Sequence, residues 1–184
     1  VIHFLASDGE SNATKERKKK YGEFTVVEEE YTLSHVWAIQ VTDVHKQKAE
    51  RVTEGAFHVI SLSVAPDGRN LAIVTKKNPD LSTMGAKIEI VDVASKVRRP
   101  LAETRNQFGR VLWSPDSKQL AYTTTGEVEY SYYANAYIEA RSIEGGNPRR
   151  VSGSVDEQPI LVDWTTRGIF FTARNKTSMA MSRL

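Results

Sequence analysis

The chain has 184 residues, with 25 Lys+Arg against 23 Asp+Glu, so its formal net charge is only +2. One domain of ordinary size fits this length, and the near-balance of charge lacks the concentrated positive field of a protein whose main partner is nucleic acid. The absence of cysteine excludes a disulfide framework, a thiol nucleophile and cysteine-based metal sites, and no apolar run reaches the roughly 20 residues a membrane-spanning helix needs. No cofactor or metal is expected: His3, His35, His45 and His58 show neither a His-x-His nor a His-x-x-x-His spacing. The compartment stays open, with the cytoplasm favoured over the periplasm. The opening Val1-Ile2-His3-Phe4-Leu5 carries no initiator Met and no basic, apolar leader pattern, so the reading expects the sequence to start inside something longer.

Taken in order, Val1–Ser7 resembles only the second half of a unit that recurs downstream. A charged insert, Lys15–Lys20, follows, and is expected to be a mobile surface insertion between two strands. Val36–Val41 alternates apolar and polar residues with period two, as a strand with one wetter face should. Ala49–Glu54 is short and polar enough for an outer edge strand.

The unit is complete from His58. Strand, turn and strand in His58–Thr75 match Gly109–Thr124, with Pro66 and Pro115 standing 49 residues apart. Each half reads as a β-hairpin. Pro supplies the fixed φ wanted at the second position of a type I turn, Asp67 and Asp116 suit the third, and Gly68 takes the positive φ that follows. Ser117 stands where that glycine would be and should carry strain. Lys87–Val93 and Ala136–Ile143 supply a third alternating strand, and Val97–Leu101 and Pro148–Ser152 suit outer edges where charge and proline discourage association. The aromatic cluster Tyr130–Tyr137 is read as packing between neighbouring units in preference to stacking on a ligand. A worn third copy runs through Ile160–Thr172 to Met179–Arg183, its Trp164 falling 51 residues after Trp113. Trp37, Trp113 and Trp164 are read as core.

Four strands per unit at this spacing predict an all-β fold of β-propeller blades of four antiparallel strands. The expected division is an incomplete blade over 1–55, blades over 57–103 and 108–152, and an incomplete blade over 158–184. Since closed rings need at least four blades, the prediction is a partial propeller of about three to four.

The Ala65-Pro66-Asp67-Gly68 and Trp113-Ser114-Pro115-Asp116 turns resemble the repeats of TolB-type propellers and of prolyl oligopeptidase family serine peptidases. The succession Phe4-Leu5-Ala6-Ser7-Asp8, the charged insert, Val26–Tyr31, His35-Val36-Trp37 and Arg51–Gly55 is similar to the early blades of the acylaminoacyl-peptidase and dipeptidyl-peptidase type. The resemblance implies a non-catalytic propeller that lets short peptides reach an α/β-hydrolase domain. That domain is missing from this sequence, which has no Gly-x-Ser-x-Gly elbow. No catalytic triad is therefore expected in this chain. The resemblance also makes Glu28, Glu29 and Glu30 candidate substrate-binding residues, since paired carboxylates suit a peptide's α-ammonium. Tyr31 follows these glutamates where the family has it before them, and a solvated loop ahead of Val36 is the competing reading. The expected partners are thus a peptide substrate, through the missing hydrolase domain, and a second copy completing the ring as a homo-oligomer. The alternative is a TolB-like protein-binding scaffold, and a further one is an enzyme built on the propeller, with carboxylates around its channel.

Overall fold

A computed structural model describes the chain apart from residues 25–30, 43–47, 81–83, 154 and 156. Its strands form four antiparallel sheets. The first contains β1 (Ile2–Ser7), β2 (Ser34–Ile39) and β3 (Glu50–Arg51). The second runs in order through β4 (His58–Val64), β5 (Asn70–Lys76), β6 (Ala86–Asp92) and β7 (Arg98–Thr104), and the third through β8 (Phe108–Trp113), β9 (Gln119–Thr124), β10 (Tyr137–Ser142) and β11 (Arg149–Arg150). The fourth contains β12 (Ile160–Thr165), β13 (Gly168–Asn175) and β14 (Ser178–Arg183). Every sheet is a meander of sequential neighbours. β4, β8 and β12 lie beside one another in turn, which stacks the sheets face to face around a common side.

Alternation along the central strands explains the stacking. In β5, Leu71 and Ile73 point to the first sheet and join Val36, Val52, Val59 and Val91 in one core cluster. Ala72 and Val74, on the opposite face, join Ile88, Ile90, Val111, Trp113, Leu120 and Tyr122 in the next. Ala121 and Ile138 of the third sheet then meet Leu161, Ile169 and Phe171 of the fourth. A strand buried on both faces reads as a continuous apolar run, and each seam between sheets is a core in its own right. Of the three tryptophans read as core, Trp113 is buried, while Trp37 and Trp164 are partly exposed.

The turn chemistry holds at atomic detail. The Gly68 amide donates to the Ala65 carbonyl (2.9 Å) and the Ser117 amide to the Ser114 carbonyl (2.9 Å), while Asp67 and Asp116 accept from the amides of Arg69 and Lys118. Gly68 has φ 71° and Ser117 φ 60°. Ser117 bears the strain expected of it and gains something in return, because its Oγ accepts the Asp67 amide of the preceding turn at 3.1 Å. Two effects of about 1 kcal/mol therefore oppose one another, a left-handed backbone and an inter-sheet hydrogen bond. Ser117→Ala keeps the strain and loses the bond, so it should destabilise by about 1 kcal/mol. Ser117→Gly relieves the one and loses the other, so it should be near neutral. Urea midpoints of the two variants check this ordering.

The segment between β1 and β2 differs from its sequence reading. The basic insert forms helix α1 (Asn12–Tyr21) between β1 and β2. Ser11 caps it, accepting the Thr14 amide at 3.0 Å, and Lys18, Lys19 and Lys20 occupy its last turn, where cations complement the helix dipole. Lys18 pairs with Glu10, and the Arg17 guanidinium lies 4.1 Å over the Phe24 ring. None of its residues is buried. Periodicity could not reveal this helix because it has no apolar stripe.

Candidate functional site

The meander order decides which connections share an end. The turns at 65–69, 114–118 and 166–167 lie at one end, with the β6–β7 and β10–β11 connections. Lateral bonds between sheets fix the common orientation: Trp113 Nε1 donates to the Ser63 carbonyl at 3.0 Å and Arg99 donates to the Ile143 carbonyl. The β2–β3 connection, flanked by Gln40 and Ala49, leaves and returns at this same end, and other long connections lie at the opposite one. These include residues 8–24 with α1, residues 77–80 and 84–85, and residues 125–136 with a 3-10 turn at Ser131–Tyr133, joined by the links between sheets at 52–57, 105–107, 151–153 and 157–159. Asn106 ties this end together by donating from its side-chain amide to the carbonyls of Gly126 (2.8 Å) and Val128 (3.0 Å).

A cleft of about 530 Å³ opens at this end, over the seam between the first two sheets. Phe57 and Met84 give it apolar surface, while Lys76, Lys77, Lys87 and Arg98 face Glu89 and Glu103. Its base is an ordered polar array. Thr75 Oγ1 donates to Glu89 Oε2 at 2.9 Å, Arg98 Nε lies 3.4 Å from Glu89 Oε1, and the Arg98 guanidinium sits 3.8 Å over the Phe57 ring. Glu139, opposite Tyr122 as Glu89 is opposite Ile73, occupies the same register in the third sheet. There it lines a second cleft of about 240 Å³ with Tyr122, Tyr137 and Arg141. Burial holds the Tyr122 phenol far above its ordinary range, and Glu139 pushes it the same way. The clefts repeat because the sheets repeat, a pattern invisible in any one motif.

Behind Phe57 lies His35, fully buried and edge-on to that ring at 4.9 Å. Its Nδ1 is 3.2 Å from Thr53 Oγ1, and its Nε2 makes no hydrogen bond, with Asp8 Oδ2 3.7 Å away and engaged by Arg51 at 3.0 Å. Burial lowers the imidazole's affinity for a proton, the Arg51 charge adds to that, and Asp8 opposes it. His58, whose Nδ1 accepts the Ser34 amide at 3.0 Å, and His3 are lowered too, first by burial.

The sign of the pH dependence follows. A histidine whose folded pKa lies below its ordinary 6.5 is protonated more readily when unfolded, so its contribution is full above 6.5 and is lost as pH falls from there toward the lowered folded value. The urea midpoint should therefore fall between neutrality and mild acid, and His35→Gln should flatten the slope. A midpoint that rises toward acid would contradict this.

Glu28, Glu29 and Glu30 lie outside the described residues, as does His45. The tyrosines of residues 125–136 are described, and here the structure corrects the reading of them as inter-blade packing. Tyr130 is exposed, and Tyr132 and Tyr133 are 89% and 92% exposed. Only Tyr137, on β10, is partly covered, with the Arg150 guanidinium 4.4 Å over its ring. The 3-10 turn lifts the other rings off the sheet, and composition alone could not separate the two placements.

A scan against protein-family profiles and a search of curated proteins find no match. Solved structures do match. TolB from Acinetobacter baumannii superposes with a TM-score of 0.59 at 16% identity, over 82% of this chain and 34% of that one. A puromycin-hydrolysing peptidase from Mycobacterium tuberculosis gives 0.57 at 13% identity, over 83% and 26%. Prolyl oligopeptidase B from Galerina marginata gives 0.51 at 13% identity, over 83% and 24%. The chain thus spans about a third or less of the length of each. At these identities the likeness shows fold alone, and that fold is all-β: four antiparallel sheets of three or four strands, resembling part of a β-propeller of the kind found in TolB and in prolyl oligopeptidases.

Proposed function

We propose that these residues form the non-catalytic propeller portion of a prolyl oligopeptidase family serine peptidase, admitting short peptides to a hydrolase domain outside this sequence. The observation that carries the reading is the inequality of the two ends. Tight Pro-Asp turns lie at one end, beside the β2–β3 connection, while α1, the tyrosine-bearing residues 125–136 and the cleft over Phe57 belong to the other. A propeller that controls access needs one face elaborated toward its catalytic partner or its substrate, and it contributes little of the chemistry. The resemblance keeps Glu28, Glu29 and Glu30, which lie outside the described residues, as proposed receivers of a peptide amine.

The test uses the protein at its natural length. Its intact mass should exceed 20.6 kDa. A fluorophosphonate probe should label one serine, and blocked short peptides should be hydrolysed while folded proteins are spared. A natural chain of 20.6 kDa, or a longer one that takes no label, would overturn the peptidase reading.

The exposed tyrosines favour a second reading, a TolB-like scaffold that binds protein partners with the same end. In one form of it, two copies complete a ring as a homodimer, which sedimentation of the natural chain would reveal.

A further inference from the structure

We propose that residues 126–133 form a docking surface for an arginine-containing, extended peptide segment. The inference rests on the reading of this end as the one that meets a polypeptide, and it names the chemistry that end selects. Three facts carry it. First, Tyr130, Tyr132 and Tyr133 present their rings to solvent, on a 3-10 turn whose flanking connection is anchored by the Asn106 bonds to Gly126 and Val128. Tyrosines held out on an anchored segment offer large contact area at small entropic cost, as interface anchors do.

Second, the segment Gly126–Tyr133 holds Glu127 and Glu129 and no cation. Glu127 already faces Arg105 at 3.5 Å, and Glu129 is exposed beside the rings. The surface therefore combines π-faces with a carboxylate, the pairing a guanidinium satisfies on both counts by stacking on the ring and bonding to the acid.

Third, the chain already makes this arrangement at the root of the same connection. Arg150 covers the Tyr137 ring at 4.4 Å, and the Glu139 and Glu127 charges act on that phenol. The same guanidinium-on-ring geometry recurs where Arg98 covers Phe57 and Arg17 covers Phe24. Tyr130, Tyr132 and Tyr133 offer it again to an arginine from outside.

The test is fluorescence anisotropy of a fluorescein-labelled Arg-Gly repeat peptide against the protein at low salt. Binding is expected to weaken as salt rises, to fall about tenfold in Tyr132→Ala/Tyr133→Ala, and to fall less in Glu129→Gln. Replacing arginine by lysine in the peptide should weaken binding, and replacing it by glutamate should abolish it. Both tyrosine side chains are nearly wholly exposed, so an unchanged circular dichroism spectrum and urea midpoint should accompany the loss. No binding by the parent protein, equal binding by the double variant, or displacement of the peptide by a neutral oligosaccharide would overturn the proposal. Serine-probe labelling of the natural-length protein is independent of these substitutions, so the docking surface and the peptidase reading can fail separately.

Discussion

Trp113→Ala is expected to lower stability by about 3–5 kcal/mol, a large part of what a domain of this size possesses. Trp113 is 5% exposed and sits where the second and third sheets meet, among Ala65, Val74, Ile90, Leu120 and Tyr122. Its ring fills the seam, and its Nε1 holds the Ser63 carbonyl of the neighbouring inner strand at 3.0 Å. Alanine removes both the apolar volume and the lateral bond, leaving a cavity in the seam between the two sheets. Trp113→Phe separates the contributions, since it keeps most of the apolar contact and forfeits the hydrogen bond, for an expected loss of about 1–2 kcal/mol. Urea unfolding followed by fluorescence of the remaining tryptophans and by far-ultraviolet circular dichroism measures both. In a stack of repeats, stability is a sum of unit and interface terms, so the alanine variant should also lose the coincidence of the two probes as the halves uncouple. A Trp113→Ala midpoint close to that of the parent would mean that the seam contributes little.

Gly168→Ala should cost about 2–5 kcal/mol, confined at first to the fourth sheet. Gly168 opens β13 with φ 130°, a backbone region nearly closed to other residues, and an added Cβ would lie 2.2 Å from the Leu184 carbonyl oxygen. The obstructing atom is backbone, held in place because the Ile169 amide donates to that same oxygen at 3.1 Å and the Leu184 amide returns to the Ile169 carbonyl at 2.9 Å. Relief would therefore require breaking the end of the β13–β14 ladder. Gly145→Ala serves as the control: its φ is 101°, but nothing lies within 4 Å of the added Cβ, so only the backbone term remains. Hydrogen exchange at the Ile169 and Leu184 amides should accelerate in Gly168→Ala and stay unchanged in Gly145→Ala. Equal effects in the two variants would mean that the contact with Leu184 is immaterial.

The two substitutions lie on opposite sides of what is readable in one dimension. Trp113 could be placed in the core from sequence, because it closes an alternating strand just before a Pro-Asp turn. The clash at Gly168 could not, because it involves a carbonyl brought back by pairing with β14. Similarly, Ser117 could be marked as strained from its place in the repeat, while its compensating bond to Asp67, 50 residues away, exists only because the two turns lie side by side. The candidate site was still less legible. Phe57, Glu89 and Arg98 form one array although no motif joins them, and Glu28, Glu29 and Glu30, which the sequence did single out, lie outside the described residues.

What the sequence determined by itself was the strands, their turns and their repetition, since period-two alternation and the φ preferences of Pro, Asp and Gly act over a few residues and need no partner. It also determined that α1 would be solvated, by giving it no apolar stripe, though not that it would be a helix. The tertiary structure alone decided which residues share a seam, which connections share an end, and that three tyrosines face outward while a fourth lies under Arg150. Those outcomes depend on contacts between residues far apart in the chain, whose energies appear only once the sheets have stacked.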